Sequence, residues 1–314
     1  MDRRRPFLLS ALGLAAGILL VACGSSSNPA STSTKQVKIG LALSTLNNPF
    51  FVTLKNGAQK AADAAGAQLL IGDGANDNAK QADEISNFIT QKADVIIVNP
   101  TDSDAVVPSV QKANSANIPV ISVDRKSNGG TLASFIASNN VEAGKLGGQQ
   151  LIKAVGQGAK VAMLVGIPGA SAAIDRGKGF KDAIADSSMN TKGVQLVAEQ
   201  VANFKRDDGL NVMQNILTAH PDITGVFAQN DEMALGAVQA IKAKGLSGKV
   251  FVVGVDGIDD AVAAIKAGDM FATVAQQPDV MGQLAVQAAI ALAKHQSVAA
   301  QKNVPLKVIT KDTA

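Results

Sequence analysis

Amide, carboxylate, guanidinium and phenyl side chains recur just beyond short apolar runs of this chain. Asn47, Asn48, Pro49, Phe50 and Phe51 follow the run Val37–Ser44, Asn99 closes Val95–Asn99, and Asp124 and Arg125 follow Val120–Val123. In the second half Phe204, Asn230, Asp256 and Gln276 stand at or after comparable runs, and Arg176 lies early in the stretch after Gly166. A hydroxyl both donates and accepts a hydrogen bond; ionised Asp only accepts, Arg only donates, and Asn and Gln do both. Phenyl rings can cover the C–H faces of a ring while planar polar groups bond its rim. Asp124 and Asp256 balance Arg125 and Arg176, so the set has no electrostatic reason to prefer an ion. It suits a neutral, polyhydroxylated ligand. No activated nucleophile or histidine base accompanies it, which argues against an enzyme. The two histidines, His220 and His295, form no cluster for a metal. Gly166–Gly169 follows a strand but lacks both the G-x-G-x-x-G spacing and a P-loop lysine, so no phosphate or other cofactor site is read there.

Each residue also has a structural reading. Asn99 before Pro100 could start a turn, and Phe50 and Phe51 could be core. Asn230 and Asp231 precede a helix, and one of them should cap it. The cap is assigned to Asp231 and the ligand role to Asn230. Recurrence of the set in both halves favours a binding site over eleven unrelated structural coincidences.

Positioning these residues requires alternating strands and helices. Strands are expected at Val37–Ser44, Ala67–Asp73, Val95–Asn99, Val120–Val123 and Ala133–Ser138, with helices near Phe50–Ala65, Ala79–Gln91, Asp104–Asn114 and Val141–Val155. The rhythm restarts with strands at Lys160–Gly166, Val194–Gln200, Gly225–Ala228, Val250–Asp256 and Phe271–Gln276. Helices there fall near Ala172–Asp186, Asp207–His220, Asp231–Lys244, Asp259–Ala267 and Pro278–Lys294. Short apolar strands read as parallel and covered on both faces, whereas Ile85, Phe88 and Ile89 mark one face of an amphipathic helix. Repeated βα units imply open parallel sheets in an α/β fold. Ten strands exceed one comfortable sheet, so two similar lobes are expected. In such sheets ligands bind beyond the carboxyl ends of the strands, where the polar set lies.

The chain has 314 residues, 46% hydrophobic and 18% charged, with 29 basic and 26 acidic side chains. That charge is too even to indicate nucleic-acid binding. Arg3, Arg4 and Arg5 precede the uncharged run Pro6–Ala22, which reads as a signal peptide over residues 1–22. Arg4-Arg5 also fits twin-arginine export, although an ordinary basic n-region is preferred. Leu20-Val21-Ala22-Cys23 resembles a bacterial lipobox, in which the cysteine is lipidated and becomes the new N-terminus. Cys23 is the single cysteine, so no intramolecular disulfide forms. Residues 23–35 then read as the anchor and a Ser-rich tether of roughly 20 Å reach. Removal of residues 1–22 leaves 26 basic and 25 acidic groups, so the basic excess belongs to the export signal.

Longer motifs carry a resemblance: Ser44-Thr-Leu-Asn-Asn-Pro-Phe-Phe51, Asn99-Pro-Thr-Asp-Ser-Asp-Ala105, Asn117-Ile-Pro-Val120, Asn211-Val-Met-Gln-Asn215, Thr218-Ala-His-Pro221 and Val226-Phe-Ala-Gln-Asn-Asp-Glu-Met-Ala-Leu-Gly236. From about Val37 to Lys311 the chain resembles the D-ribose-binding proteins of bacterial ABC importers, of the type I periplasmic-binding-protein fold. The resemblance implies two Rossmann-like lobes, 36–138 plus 277–304 and 139–276 plus 305–314, joined by three hinge crossings near Ser138, Gln276 and Pro305. It implies a sugar held by Asn48, Phe50, Phe51, Asn99, Asp124 and Arg125 from one lobe and by Arg176, Phe204, Asn230, Asp256 and Gln276 from the other. It also implies an ABC permease as partner, an extracytoplasmic location, no enzymatic activity and a monomer. Val255 stands where ribose binders carry a stacking Phe, and Ile174 where an Arg is familiar at the rim. Val255 therefore predicts a roomier cleft. The rival readings are a sugar-responsive repressor, which would need a DNA-binding segment where the signal and tether stand, and a binder of another monosaccharide or of a furanosyl signalling molecule.

Overall fold

The computed structural model describes residues 35–314. The expected signal peptide, Cys23 and nearly all of the tether lie outside the described residues. The first half builds β1 (Lys38–Leu43), α1 (Pro49–Ala64), β2 (Gln68–Asp73), α2 (Asn78–Thr90), β3 (Val95–Val98), α3 (Val107–Ser115), β4 (Val120–Val123) and β5 (Ser134–Ala137). The second builds α4 (Asn140–Ala154), β6 (Lys160–Val165), α5 (Ser171–Ala185), β7 (Gln195–Val201), α6 (Arg206–Ala219), β8 (Ile223–Ala228), α7 (Asp231–Ala243), β9 (Phe251–Asp256), α8 (Asp259–Ala267) and β10 (Ala272–Ala275). The chain ends with α9 (Pro278–Ala293), β11 (Gln301–Asn303) and β12 (Lys307–Thr310).

Two six-stranded sheets result, ordered β11-β5-β4-β3-β1-β2 and β12-β10-β9-β8-β6-β7. The pairings are parallel except for β12, which runs antiparallel to β10. Strand order reverses between β1 and β3 and again between β6 and β8, the two points where an open α/β sheet leaves a crevice at its carboxyl ends. The chain passes between the sheets three times, between β5 and α4, between β10 and α9, and between β11 and β12.

The central strands of each sheet are packed on both faces and are largely apolar, whereas edge strands such as β7 and β11 carry polar residues. Ile39, Leu41 and Leu43 of β1 face α1 and α9, while Ala42 joins Ile85, Phe88 and Val110 on the opposite side. In the other sheet Val252 of β9 faces α6 and α7, and Val253 and Val255 face α4 and α5 beside Phe180 and Phe227. Alternation along β9 thus decides which residues can reach which layer.

Three differences from the sequence reading have local causes. The third helix begins at Val107 rather than Asp104, because the Asp102 carboxylate accepts the Asp104 and Ala105 N–H groups and holds a turn there. The fully exposed edge strand β11 carries no apolar pattern. The cap of α7 is Asn230, whose Oδ1 accepts the Met233 N–H at 3.0 Å; Asp231 is not the cap. The Asp231 carboxylate instead turns inward, away from the helix end.

Candidate functional site

A small, tightly lined cavity lies between the carboxyl ends of the two sheets. Asn48, Phe50, Phe51, Asp124 and Arg125 line it from one sheet, and Arg176, Phe204, Asn230 and Asp256 from the other, with Ala172 completing the wall. Two residues of the expected set stand behind this wall. Asn99 donates to the Asp124 Oδ2 and to the Val123 carbonyl, both at 3.1 Å, and accepts the Ser44 N–H. Gln276 donates to Asp256 Oδ1 at 2.9 Å and lines an adjoining cleft.

Backbone geometry aims the side chains. Pro49 fits the first turn of α1, and the Asn48 Oδ1 caps it by accepting the Phe50 N–H at 2.9 Å. Phe50 and Phe51 then meet edge to face, 5.2 Å between centroids. Asp124, Phe204 and Asp256 have φ of +61°, +59° and +130°. Side chains other than glycine rarely adopt such angles, and they persist where the surroundings hold them, typically around ligand clamps. The Phe204 ring has its seat because residue 166 is glycine: a Cβ there would fall 2.1 Å from the ring.

Two buried ion pairs face each other across the cavity. Arg125 Nε lies 3.8 Å from Asp124 Oδ2, and Arg176 Nη1 lies 3.5 Å from Asp256 Oδ1. Arg176 is steadied by Asn140 Oδ1 at 2.8 Å and the Gln229 carbonyl at 2.7 Å. The Arg125 guanidinium is centred 5.2 Å from the rings of both Phe51 and Phe204 and so bridges the two sheets. Burial raises the pKa of Asp124, against the pull of Arg125, Arg176 and Asn99. Burial also lowers Arg125 to about 10, opposed first by Asp124. Asp124 Oδ1, Arg125 Nε and Gln276 Oε1 are buried without a hydrogen-bond partner. Of these, Asp124 Oδ1 and Arg125 Nε belong to residues of the cavity wall, an unspent acceptor and an unspent donor beside aromatic faces that a ligand rich in hydroxyls can satisfy.

Away from the cavity the two halves touch directly. The Ser103 N–H donates to the Gly169 carbonyl at 2.9 Å, the Ser171 N–H to Ser103 Oγ at 3.1 Å, and the Lys126 N–H to Ser171 Oγ at 2.9 Å. The cleft is closed in this structure.

Sequence reasoning missed Ala172, whose type carries no signal, and the supports Asn140 and Gln229. Gln229, next to Asn230 at the end of β8, could have been found by the same strand-end rule. Val255 is corrected. It is fully buried in the layer between its sheet and α4 and α5 and does not line the cavity, so a smaller side chain there does not widen the cleft. Ile174 is 56% exposed. Among the described residues no group of three or more His, Cys, Asp or Glu is placed to hold a metal ion, and no helix is long and apolar enough to cross a membrane.

Comparison with known proteins places this geometry. The pattern of the family described as periplasmic binding protein domain matches residues 39–297. The chain is 48% identical over 273 residues to the ribose import binding protein of Escherichia coli K12, covering 87% of this chain and 90% of that one. It is 45% identical over 276 residues to the ribose import binding protein of Bacillus subtilis 168, covering 88% of each. A solved ABC-transporter solute-binding protein from Actinobacillus succinogenes with bound D-allose superposes with a TM-score of 0.81 at 33% identity, over 88% of this chain and 99% of that chain. The two-lobed α/β body, with its closed polar cavity between the sheets, belongs to the periplasmic binding protein family.

Proposed function

We propose that this protein is the sugar-capturing component of an ABC importer, with D-ribose or a close monosaccharide as its ligand. One observation carries the reading: a small cavity between two sheets lined by balanced Asp–Arg pairs, amides and three phenyl rings, with the Asp124 Oδ1 acceptor and the Arg125 Nε donor still unspent. The similarity to ribose import binding proteins supports ribose in particular. The D-allose-bound relative shows that the same architecture accepts a hexose elsewhere in the family. Asp124, Asp256, Arg125, Arg176, Asn48 and Asn230 bond the hydroxyls in this reading, and Phe50, Phe51 and Phe204 cover the ring. Asn99 and Gln276 act from behind by holding the carboxylates. The lobes separate to admit sugar and close on it, and a permease reads the closed surface. Calorimetry against a panel of D-ribose, D-allose, D-arabinose and D-glucose tests this; ribose should bind tightest, and absence of binding by every sugar would refute the reading.

The same proposal includes an extracytoplasmic body held at the membrane by lipidated Cys23. Its support is the sequence Leu20-Val21-Ala22-Cys23 ahead of a Ser-rich segment. Mass spectrometry of membrane-extracted protein should find a diacylated N-terminal peptide beginning at Cys23, and Cys23→Ala should abolish it. An unmodified mature Cys23 refutes the anchor.

A further inference from the structure

Asp231 is fully buried and does not line the cavity, yet each hydrogen bond recorded for its carboxylate goes to the segment just after Asp256 or to the strand that ends before Gln276. Oδ2 accepts the N–H groups of Gly257 at 2.7 Å and Ile258 at 3.1 Å, while Oδ1 accepts the Thr273 hydroxyl at 2.7 Å. Thr273 on β10 stands in register with Gly254 on β9. A Cβ at Gly254 would fall 2.1 Å from Asp231 Oδ1, so glycine at 254 makes the seat for this carboxylate. Burying a carboxylate is costly unless donors surround it. Since Asn230 already caps α7, the helix end does not account for Asp231. What the carboxylate does achieve is to grip the two amides that follow Asp256, whose φ of +130° needs an external hold.

We propose that Asp231 is a positioning residue for the ligand site: its carboxylate clamps the turn between β9 and α8 to β10 and so keeps Asp256 turned towards Arg176 and the cavity. The clamp stands on geometry alone, whereas its effect on affinity rests on the sugar reading above. Electrostatics supply a signature that packing would not. Burial holds Asp256 well above the usual carboxylate range; Arg176 and the Gln276 bond pull it down, while the charges of Asp231 and Asp124 push it up. Burial raises Asp231 to about 6, against its bonds from Thr273, Ile258 and Gly257 and the charge of Arg176. Sugar hydroxyls that donate to Asp256 favour its ionised form, so bound sugar lowers its pKa and sugar affinity falls as pH falls through the titration of this pair. Removing the Asp231 charge lowers the pKa of Asp256 and moves that acid limb to lower pH.

The test uses the whole mature protein and its variants Asp231→Asn, Asp231→Ala and Gly254→Ala. Ribose affinity is measured by calorimetry from pH 8 to pH 5, and hydrogen exchange of the Gly257 and Ile258 amides is followed without sugar. An Asn at 231 can accept both N–H groups and donate to the Thr273 hydroxyl. Asp231→Asn should therefore keep affinity within about tenfold at pH 8 and shift the acid limb down by about half a unit or more. Asp231→Ala and Gly254→Ala should weaken ribose by at least about tenfold and speed exchange at both amides. The proposal is overturned if Asp231→Asn reproduces the parent pH profile and the disruptive variants exchange like the parent. If Asp231→Ala does not fold, Gly254→Ala and Asp231→Asn decide on the same readouts. A parent that binds no sugar refutes the sugar reading, while amide exchange still decides the clamp.

Discussion

At the scale of single residues, the cavity is an arrangement of charges held in place by neutral neighbours. Asp124 has one oxygen bonded by Asn99 and the other unspent, and the Arg125 guanidinium sits over two phenyl rings. Losing a hydrogen bond to a charged group costs about 1.5–3 kcal/mol, so Asp124→Ala should weaken ribose about ten- to a hundredfold in calorimetry. Parent-like binding would remove that carboxylate from the ligand's reach. Val255 behaves oppositely. Its side chain is fully buried in the apolar cluster that also holds Val253, Phe227 and Phe180, so Val255→Phe should overpack that layer and cost about 1–3 kcal/mol in denaturant unfolding. Ribose affinity should change by less than about threefold, because residue 255 does not line the cavity. A tighter ribose complex with unchanged stability would contradict this placement. Polar types at strand ends made the members of the cavity wall legible from sequence. Which of them touch the cavity and which brace it was not, because Asn99 and Asn48 look alike until hydrogen bonds are drawn. The positive φ values of Asp124, Phe204 and Asp256 were also hidden, since no side-chain pattern records them.

At the scale of elements, close helix pairs set where the site residues stand. The pairs α1 with α9, α4 with α5, and α6 with α7 approach through glycine, and α4 with α5 carries Arg176 into the cavity wall. A Cβ at Gly144 of α4 would lie 2.0 Å from the Arg176 carbonyl, and one at Gly179 of α5 would lie 1.9 Å from the Val141 carbonyl. Alanine is favoured over glycine within a helix by about 1 kcal/mol. A backbone oxygen cannot rotate out of the way, however, and forcing two packed helices apart costs about 1–3 kcal/mol or more. Gly144→Ala should therefore destabilise the protein on balance and weaken ribose by displacing Arg176, whereas Gly156→Ala, with nothing nearby, should be within about 0.5 kcal/mol of the parent. Equal stability of the two variants would mean that α4 and α5 are not held this tightly. Helices and central strands were legible because their apolar periodicities are strong. The strand β11 was not, since the residues Gln301–Asn303 are polar and exposed and pair only because the chain returns to the sheet edge. The structure caps α7 with Asn230 where the sequence reading took Asp231; both types cap well and both residues are buried, and only their hydrogen bonds separate them.

At the scale of the whole molecule, closure and binding are one equilibrium. The contacts from Ser103 to Gly169, from Lys126 to Ser171 and from Arg125 to Phe204 join two halves that the chain links through three crossings. Such contacts exist only while the halves meet, and each neutral hydrogen bond among them is worth about 0.5–1.5 kcal/mol. They bury Asp124 and Asp256, whose desolvation opposes closure, so the closed form is not secured by these bonds alone. A sugar that bonds both lobes adds affinity to the closed form that the open form lacks, and a ligand shifts an equilibrium only by that difference. Saturating ribose should therefore compact the body. For residues 36–314 in the closed form the radius of gyration is expected near 19 Å. Small-angle scattering should give that value with ribose and a larger one without, while Asp124→Ala should need proportionally more sugar to reach the compact limit. A radius that stays fixed through a titration in which calorimetry shows binding would mean that the lobes are already closed before sugar arrives, and that entry occurs by some route other than their separation.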